Sequence, residues 1–282
     1  MMQLLQFKNH FFSELSNIYP TTEIQSFFKL LIEFKLGLNR IETALQPAFE
    51  INTENEVYLQ SALQELKNHI PIQYIIGKTE FYGLTFRVTN DVLIPRPETE
   101  ELVNWIVQEN DQSEKLKILD IGTGSGCIAI SLAKLLPNSE VTAIDISSEA
   151  LKIAKENALL NNVTIHFLEK NILETTELPH NFDIIVSNPP YVRELEKEQM
   201  HPNVLRNEPH LALFVKDNNP LLFYDKIADL AKSNLTTNGT LYFEINQYLG
   251  SEMKELLQHK GFTTVELRKD LYDVDRMLKA IL

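Results

Sequence analysis

The feature that most narrows the possible folds is a regular alternation of short apolar runs and helical stretches that sets in after Glu101. Strand candidates fall at 117–121, 141–146, 164–168, 182–187, 240–245, 263–267 and 277–282, with helical stretches at 125–136, 148–161, 221–233 and 251–259 between them. Strands separated by helices of this length are joined by crossovers, which place helices on both faces of a parallel sheet. The expectation is an α/β, Rossmann-like sheet of seven strands. In that architecture ligands sit beyond the carboxyl ends of the strands. The residues predicted at those ends are the glycine turn after Ile121, Asp145, Asn171 and Asn188.

Upstream the texture differs. From Leu4 to about Ile70 the periodicity is helical, with Phe7, Phe11, Phe12, Leu15 and Ile18 on one face. Thr22 with Gln25, and Thr53 with Glu56, have the spacing of capping boxes that open further helices. From Pro71, the segments 73–77 and 80–88 alternate apolar residues around glycines and read as a β-hairpin. The expected organisation is a helical recognition bundle over 1–72, a hairpin linker over 73–96 and the sheet domain over 97–282. Trp105 is expected to pack at the junction of the domains.

Composition removes several function classes. A net charge of −13 argues against unaided gripping of phosphates, which usually requires a basic face. No run of 18 apolar residues occurs and the first residues lack the layout of a signal peptide, so a cytoplasmic location is expected. A single cysteine, Cys127, excludes an internal disulfide framework, and none of the seven histidines has metal-ligand spacing; no metal is expected. The charged run 194–200 reads as a solvated loop.

The turn Gly122-Thr123-Gly124-Ser125-Gly126 places three of the nine glycines within five residues, directly after a strand. Glycine permits positive φ and close backbone approach, and the helix behind it offers free N–H groups. The spacing is G-x-G-x-G; Cys127 stands where a dinucleotide fingerprint needs its third glycine, so no pyrophosphate is indicated. Asp145 ends the next strand, 19 residues beyond Gly126, where a carboxylate can take both ribose hydroxyls. A carboxylate there could instead cap the following helix, although Ser147 and Ser148 are also placed for that task.

The second site is Asn188-Pro189-Pro190-Tyr191, which closes the run 182–187. Asn188 and Pro189 each precede a proline and are therefore held extended. Their oxygens make a rigid, acceptor-rich corner that can take both N–H groups of a planar –NH2, with Tyr191 over its π face. A buried strand that merely ends in a proline turn would carry the same string.

Together these features resemble the class I S-adenosylmethionine-dependent methyltransferases. The resemblance implies S-adenosylmethionine as cofactor, with Asp120 near its methionine end, Asn171 and Ile172 near its adenine, and Asn188 bordering it. Families with this corner methylate a delocalised, poorly nucleophilic nitrogen. Hydrogen bonds to the Asn188 side-chain oxygen and the Pro189 carbonyl would aim its lone pair and stabilise positive charge as it grows.

The chain as a whole is similar to the HemK/PrmC family, which methylates the glutamine of the Gly-Gly-Gln motif in class 1 peptide chain release factors. The similarity is carried by the helical N-terminal block, 71–77, 80–84, Ile94-Pro95-Arg96-Pro97-Glu98-Thr99-Glu100, 120–126, 187–191, 207–213 and 270–276. The segment 243–246 departs from it, where many members carry a glycine after the strand, and 194–206 is divergent. The resemblance implies that Asn188, Pro189 and Tyr191 are catalytic and that Pro190 lines the substrate site. It also implies that Arg96 and Glu98 shape that pocket. The expected partner is a release factor, with no direct nucleic acid, no membrane, and a monomeric enzyme. Two alternatives stand beside this reading: an adenine exocyclic-amine nucleic-acid methyltransferase, and a non-catalytic cofactor-binding module.

Overall fold

The computed structural model describes residues 2–282, which divide into two compact units. The smaller runs to Gly77 and takes in His201–Asn207; the larger comprises Lys78–Met200 and Glu208–Leu282.

The smaller unit is helical, with helices Leu4–Leu15, Thr21–Leu36, Arg40–Leu45, Thr53–Lys67 and Ile72–Ile76. Phe7, Phe11, Leu31, Leu59, Leu63 and Leu66 are fully buried in its core. The expected capping boxes are displaced. The second helix starts from Pro20 with no side-chain cap, and the helix from Thr53 is capped by Asn52, whose side chain accepts from the Asn55 N–H. A full box appears instead at Asn39 and Glu42. Residues 72–76 are also helical, although the hairpin was expected to begin at 73. Pro71 precedes the first turn and Gly77, at φ 76°, closes the last, so the two residues read as hairpin punctuation are helix boundaries. The hairpin itself is Lys78–Phe81 with Leu84–Arg87. The short helix Pro202–Asn207 belongs to this unit, where the Asn207 side chain donates to the His69 carbonyl at 2.9 Å.

The larger unit is built on seven strands: β1 (Lys117–Ile121), β2 (Glu140–Asp145), β3 (His166–Glu169), β4 (Phe182–Ser187), β5 (Leu235–Glu244), β6 (Thr264–Lys269) and β7 (Asp275–Ile281). Their order across the sheet is β6-β7-β5-β4-β1-β2-β3. The five strands β1 to β5 are parallel, as expected, but β7 runs antiparallel to both β5 and β6. A tight turn forces this: the Asp270 N–H donates to the Val274 carbonyl, and strands joined by so short a link can only be antiparallel.

Alternation along the strands fills both faces. Ile118, Ile184, Val186 and Tyr242 pack on one side with Leu102, Val103 and Ile106 of helix Pro97–Glu109. Leu119, Ile121, Ile185 and Phe243 face the other side, against Tyr224, Ile227 and Ala231 of helix Leu222–Asn234. Each such fully buried valine, leucine, isoleucine or phenylalanine side chain contributes about 1.5–3 kcal/mol. Trp105 is not a junction residue. It is completely buried within this unit, edge-on to Tyr242 at 5.6 Å. No helix among the described residues is long and apolar enough to cross a membrane.

Candidate active site

Strand register brings the predicted residues to one edge of the sheet. Ser187 pairs with Ile121 on one side and with Phe243 on the other. Asn188 therefore stands level with Gly122 and with Glu244. The Ser187 hydroxyl donates to the Ile121 carbonyl at 2.6 Å and fastens the ends of β4 and β1 together.

The turn after β1 is held from beneath. The N–H groups of Gly122 and Thr123 donate to the Ile144 carbonyl at 2.8 and 3.0 Å. Gly122, Gly124 and Gly126 have φ of 76°, 54° and 83°. A Cβ on Gly126 would lie 2.9 Å from Ile130 Cδ1 and 3.2 Å from Ala154 Cβ, so this glycine serves helix packing. A Cβ on Gly122 or Gly124 would meet nothing within 4 Å. Those two positions face open space, where a ligand can approach the backbone closely. Thr123 and Ser125 are buried and their side chains turn inward. Asn157, which local pattern did not reveal, is fully buried and donates to the carbonyls of Ser125 and Arg87.

Asp120 is completely buried. Its Oδ2 accepts from the Thr123 hydroxyl at 2.6 Å and from the Ala129 N–H at 3.3 Å, while its Oδ1 has no partner. Burial pushes this carboxyl up to about 7, against the pull of Thr123 and Ala129. An unpaired buried acceptor costs about 1–3 kcal/mol, and a cationic donor would both satisfy it and restore its charge. The amino group of S-adenosylmethionine is such a donor. Asp145 is not the cap of the following helix; Ser147 is, accepting the Ala150 N–H at 3.1 Å. The Asp145 oxygens instead take one backbone donor each, Gly124 N–H at 2.8 Å and Ser147 N–H at 2.9 Å, which fixes the carboxylate while lone pairs remain for a diol. Burial raises its pKa as well. The donor set and the open glycine turn fit S-adenosylmethionine. Asn171 is half-buried, its side chain accepting the Leu173 N–H, whereas Ile172 is packed into the core beside Leu178 and Phe182.

At the proline corner, Asn188 and Pro190 are half-buried and Pro189 is buried. Asn188 Nδ2 donates to Thr99 Oγ1 at 3.4 Å; that hydroxyl donates in turn to Glu244 Oε2 at 2.6 Å. The Tyr191 hydroxyl donates to the other Glu244 oxygen at 2.9 Å, and burial holds that phenol well above its ordinary pKa. Burial likewise raises Glu244, while the hydrogen bonds from Thr99 and Tyr191 and the positive Arg276 pull it back. Arg276 is itself held by the buried Asp270 at 3.1 Å. The Tyr191 carbonyl accepts from Asn246 Nδ2, which also donates to Glu196 Oε2.

Glu196 overturns the expectation of a solvated loop. Residues 194–199 form a 3-10 helix in which Glu196 is 9 % exposed and receives the backbone N–H and the guanidinium of Arg193. Arg96 pairs with Glu208 at 2.6 Å, and the second Glu208 oxygen accepts the Ile94 N–H. Glu98 is half-buried in the first turn of its helix. Thr99, Glu244, Asn246, Glu196 and Glu208 thus join the site, none having been singled out from the sequence. All but Glu196, whose charged run suggested only solvent, lie inside or beside motifs already noted.

Comparison with known proteins identifies the family. Residues 7–77 match the family model of the PrmC N-terminal domain, and residues 99–213 that of the methyltransferase small domain. A release factor glutamine methyltransferase of Flavobacterium psychrophilum is 54 % identical over 99 % of both chains. One of Bacteroides thetaiotaomicron is 44 % identical over 94 % of this chain and 95 % of its own. Among solved structures, the hMettl16 catalytic domain in complex with MAT2A 3'UTR hairpin 6 superposes with a TM-score of 0.57 at 16 % identity, covering 82 % of this chain and 86 % of its own, a likeness of fold alone. With a class I methyltransferase sheet, a cofactor turn that fits S-adenosylmethionine and full-length kinship at this level, the chain belongs to the release factor glutamine methyltransferase family.

Proposed function

We propose that the chain transfers the methyl group of S-adenosylmethionine to the side-chain amide nitrogen of the glutamine in the Gly-Gly-Gln motif of class 1 peptide chain release factors. The observation that carries this reading is the register of β4 on β1: the Asn188-Pro189 acceptor corner stands directly beside the open glycine turn. When bound at that turn, S-adenosylmethionine supplies an electrophilic methyl group. The chain's own residues do the remaining work. Asn188 Oδ1 and the Pro189 carbonyl accept the two amide N–H groups, hold the nitrogen lone pair toward the methyl, and stabilise positive charge as it develops. Orientation of this kind accounts for several kcal/mol of barrier lowering. Tyr191, anchored through Glu244, packs beside the amide plane. The amide nitrogen so held would take up the methyl that the bound cofactor supplies, and the proton displaced from nitrogen would pass to water, so no strong base is required of the chain.

The helical unit is assigned to docking a second part of the release factor, a reading supported by its helical sequence, which carries no chemistry-bearing cluster among the described residues. With a release factor as substrate the chain would work in the cytoplasm, and it is expected to act as a monomer.

Labelled S-adenosylmethionine offered with release factor, with DNA and with neither tests the reaction. Label on the release-factor glutamine is the expected result. Label on DNA alone would establish the adenine-amine alternative, and no transfer at all the non-catalytic one.

A further inference from the structure

We propose that Glu244 is a positioning residue that, acting through Thr99, dictates which end of the Asn188 side-chain amide faces the reacting nitrogen. The inference rests on the reading that Asn188 Oδ1 is an acceptor for the substrate amide. An asparagine side chain has two ends of nearly equal size, and only one is useful here: an NH2 turned toward the substrate would set donor against donor. Something must select the orientation.

The selection runs through three side chains in fixed order. An ionised carboxylate only accepts. The Thr99 hydroxyl has a single hydrogen, and at 2.6 Å it is committed to Glu244 Oε2. Toward Asn188 that hydroxyl can therefore only accept, so Nδ2 turns to it, at 3.4 Å, and Oδ1 is left for the substrate. Bulk solvent does not compete with either partner: Thr99 is 2 % and Glu244 1 % exposed. The carboxylate is itself held: Tyr191 donates to its other oxygen, and the Tyr224 hydroxyl donates to the Glu244 backbone carbonyl at 3.0 Å. The Ile245 N–H is bound to the Arg276 carbonyl, which pins the end of β5 to the strand carrying that guanidinium.

Two substitutions break the order without removing bulk. In Glu244→Gln, an NH2 facing Thr99 makes the hydroxyl the acceptor, frees its hydrogen for Asn188, and draws Oδ1 away from the substrate. Thr99→Val deletes the hydroxyl, whereas Thr99→Ser keeps it. Full-length chain and release factor are used throughout, with Asn188→Ala as reference and melting temperatures recorded. For Glu244→Gln and Thr99→Val we expect kcat to fall by at least about tenfold, with cofactor Kd and release-factor KM within about twofold of the parent. Thr99→Ser should recover most of kcat. If Glu244→Gln fails to fold, the Thr99 pair carries the test. A Thr99→Val chain with unchanged kcat, or a Thr99→Ser chain as slow as Thr99→Val, overturns the inference while Asn188→Ala remains inactive. Undiminished turnover by Asn188→Ala overturns the reading of the corner itself, and this inference with it.

Discussion

The Asp120 carboxylate spends one oxygen on the Thr123 hydroxyl, 2.6 Å away, and leaves the other buried without a protein donor. Burial raises the folded-state pKa from the ordinary 3.8 to about 7. A carboxyl raised in the folded state contributes stability that is fully present below its unfolded value and lost as pH rises through the folded one. The cofactor-free protein should therefore lose stability between roughly pH 4 and 7, by up to about 4 kcal/mol from this group. Asp120→Asn removes the buried charge and should melt higher than the parent at pH 8, while its affinity for S-adenosylmethionine drops at least about tenfold. Thermal melts at pH 5 and 8, with and without cofactor, decide it. A variant that melts lower at pH 8 and keeps its full cofactor-induced shift would contradict this role.

Two glycines of the turn should separate by phenotype. Gly126→Ala drives a methyl against Ile130 and Ala154 at a positive φ, so it should cost about 1–3 kcal/mol of stability. Gly124→Ala meets no protein atom and bears only about 1–2 kcal/mol of conformational strain, but its methyl occupies the open side of the turn. Its signature should be a raised KM for cofactor. Melting temperature and cofactor KM measured on both variants check the split, and equal effects on both quantities would refute it.

How legible all this was depended on the range of the interaction. The strand ends and the glycine turn announce themselves within a few residues, because apolar alternation and positive-φ demands are local. Glu244 does not: its hydroxyl partner on Thr99 lies 145 residues away, and nothing in Phe243-Glu244-Ile245 distinguishes a buried acceptor from a polar strand end. Glu196 was hidden in a charged run, and one of its hydrogen-bond partners, Asn246, lies 50 residues downstream. Residues 73–77 suggested a strand through apolar residues set beside a glycine, yet the preceding proline and following glycine were a helix signal in plain view. The antiparallel β7 could have been inferred from the short Asp270–Val274 link, which cannot hold a crossover.

Arg96 was expected to shape the substrate pocket, and the structure gives it a partner that predicts its behaviour. The Glu208 side chain is 1 % exposed and ion-paired to Arg96 at 2.6 Å. Arg96→Ala leaves that carboxylate buried and unpaired, which should cost about 3–5 kcal/mol. Adding Glu208→Gln removes the stranded charge and should restore much of the melting temperature. If the double variant melts no higher than Arg96→Ala alone, the pair is not the clamp on the Ile94–Pro97 segment that the distances indicate.

Docking by the helical unit can be tested on its surface. Truncation is a poor tool, because the helix Pro202–Asn207 packs with that unit and would lose its support. Ile41 and Leu45 are spaced i, i+4 on the helix Arg40–Leu45 and are 70 % and 76 % exposed, two large apolar side chains on one face with their capping box intact beneath them. Replacing both with serine should leave the fold unaltered. If this face meets the release factor, the loss of two buried aliphatic side chains, each about 1.5–3 kcal/mol, should raise KM for the full-length factor about tenfold or more. Turnover of a short Gly-Gly-Gln peptide, which reaches only the Asn188 corner, should be unchanged. Parallel loss on peptide and protein would mean a disturbed catalytic unit, and no loss on either would remove this helix from the docking surface.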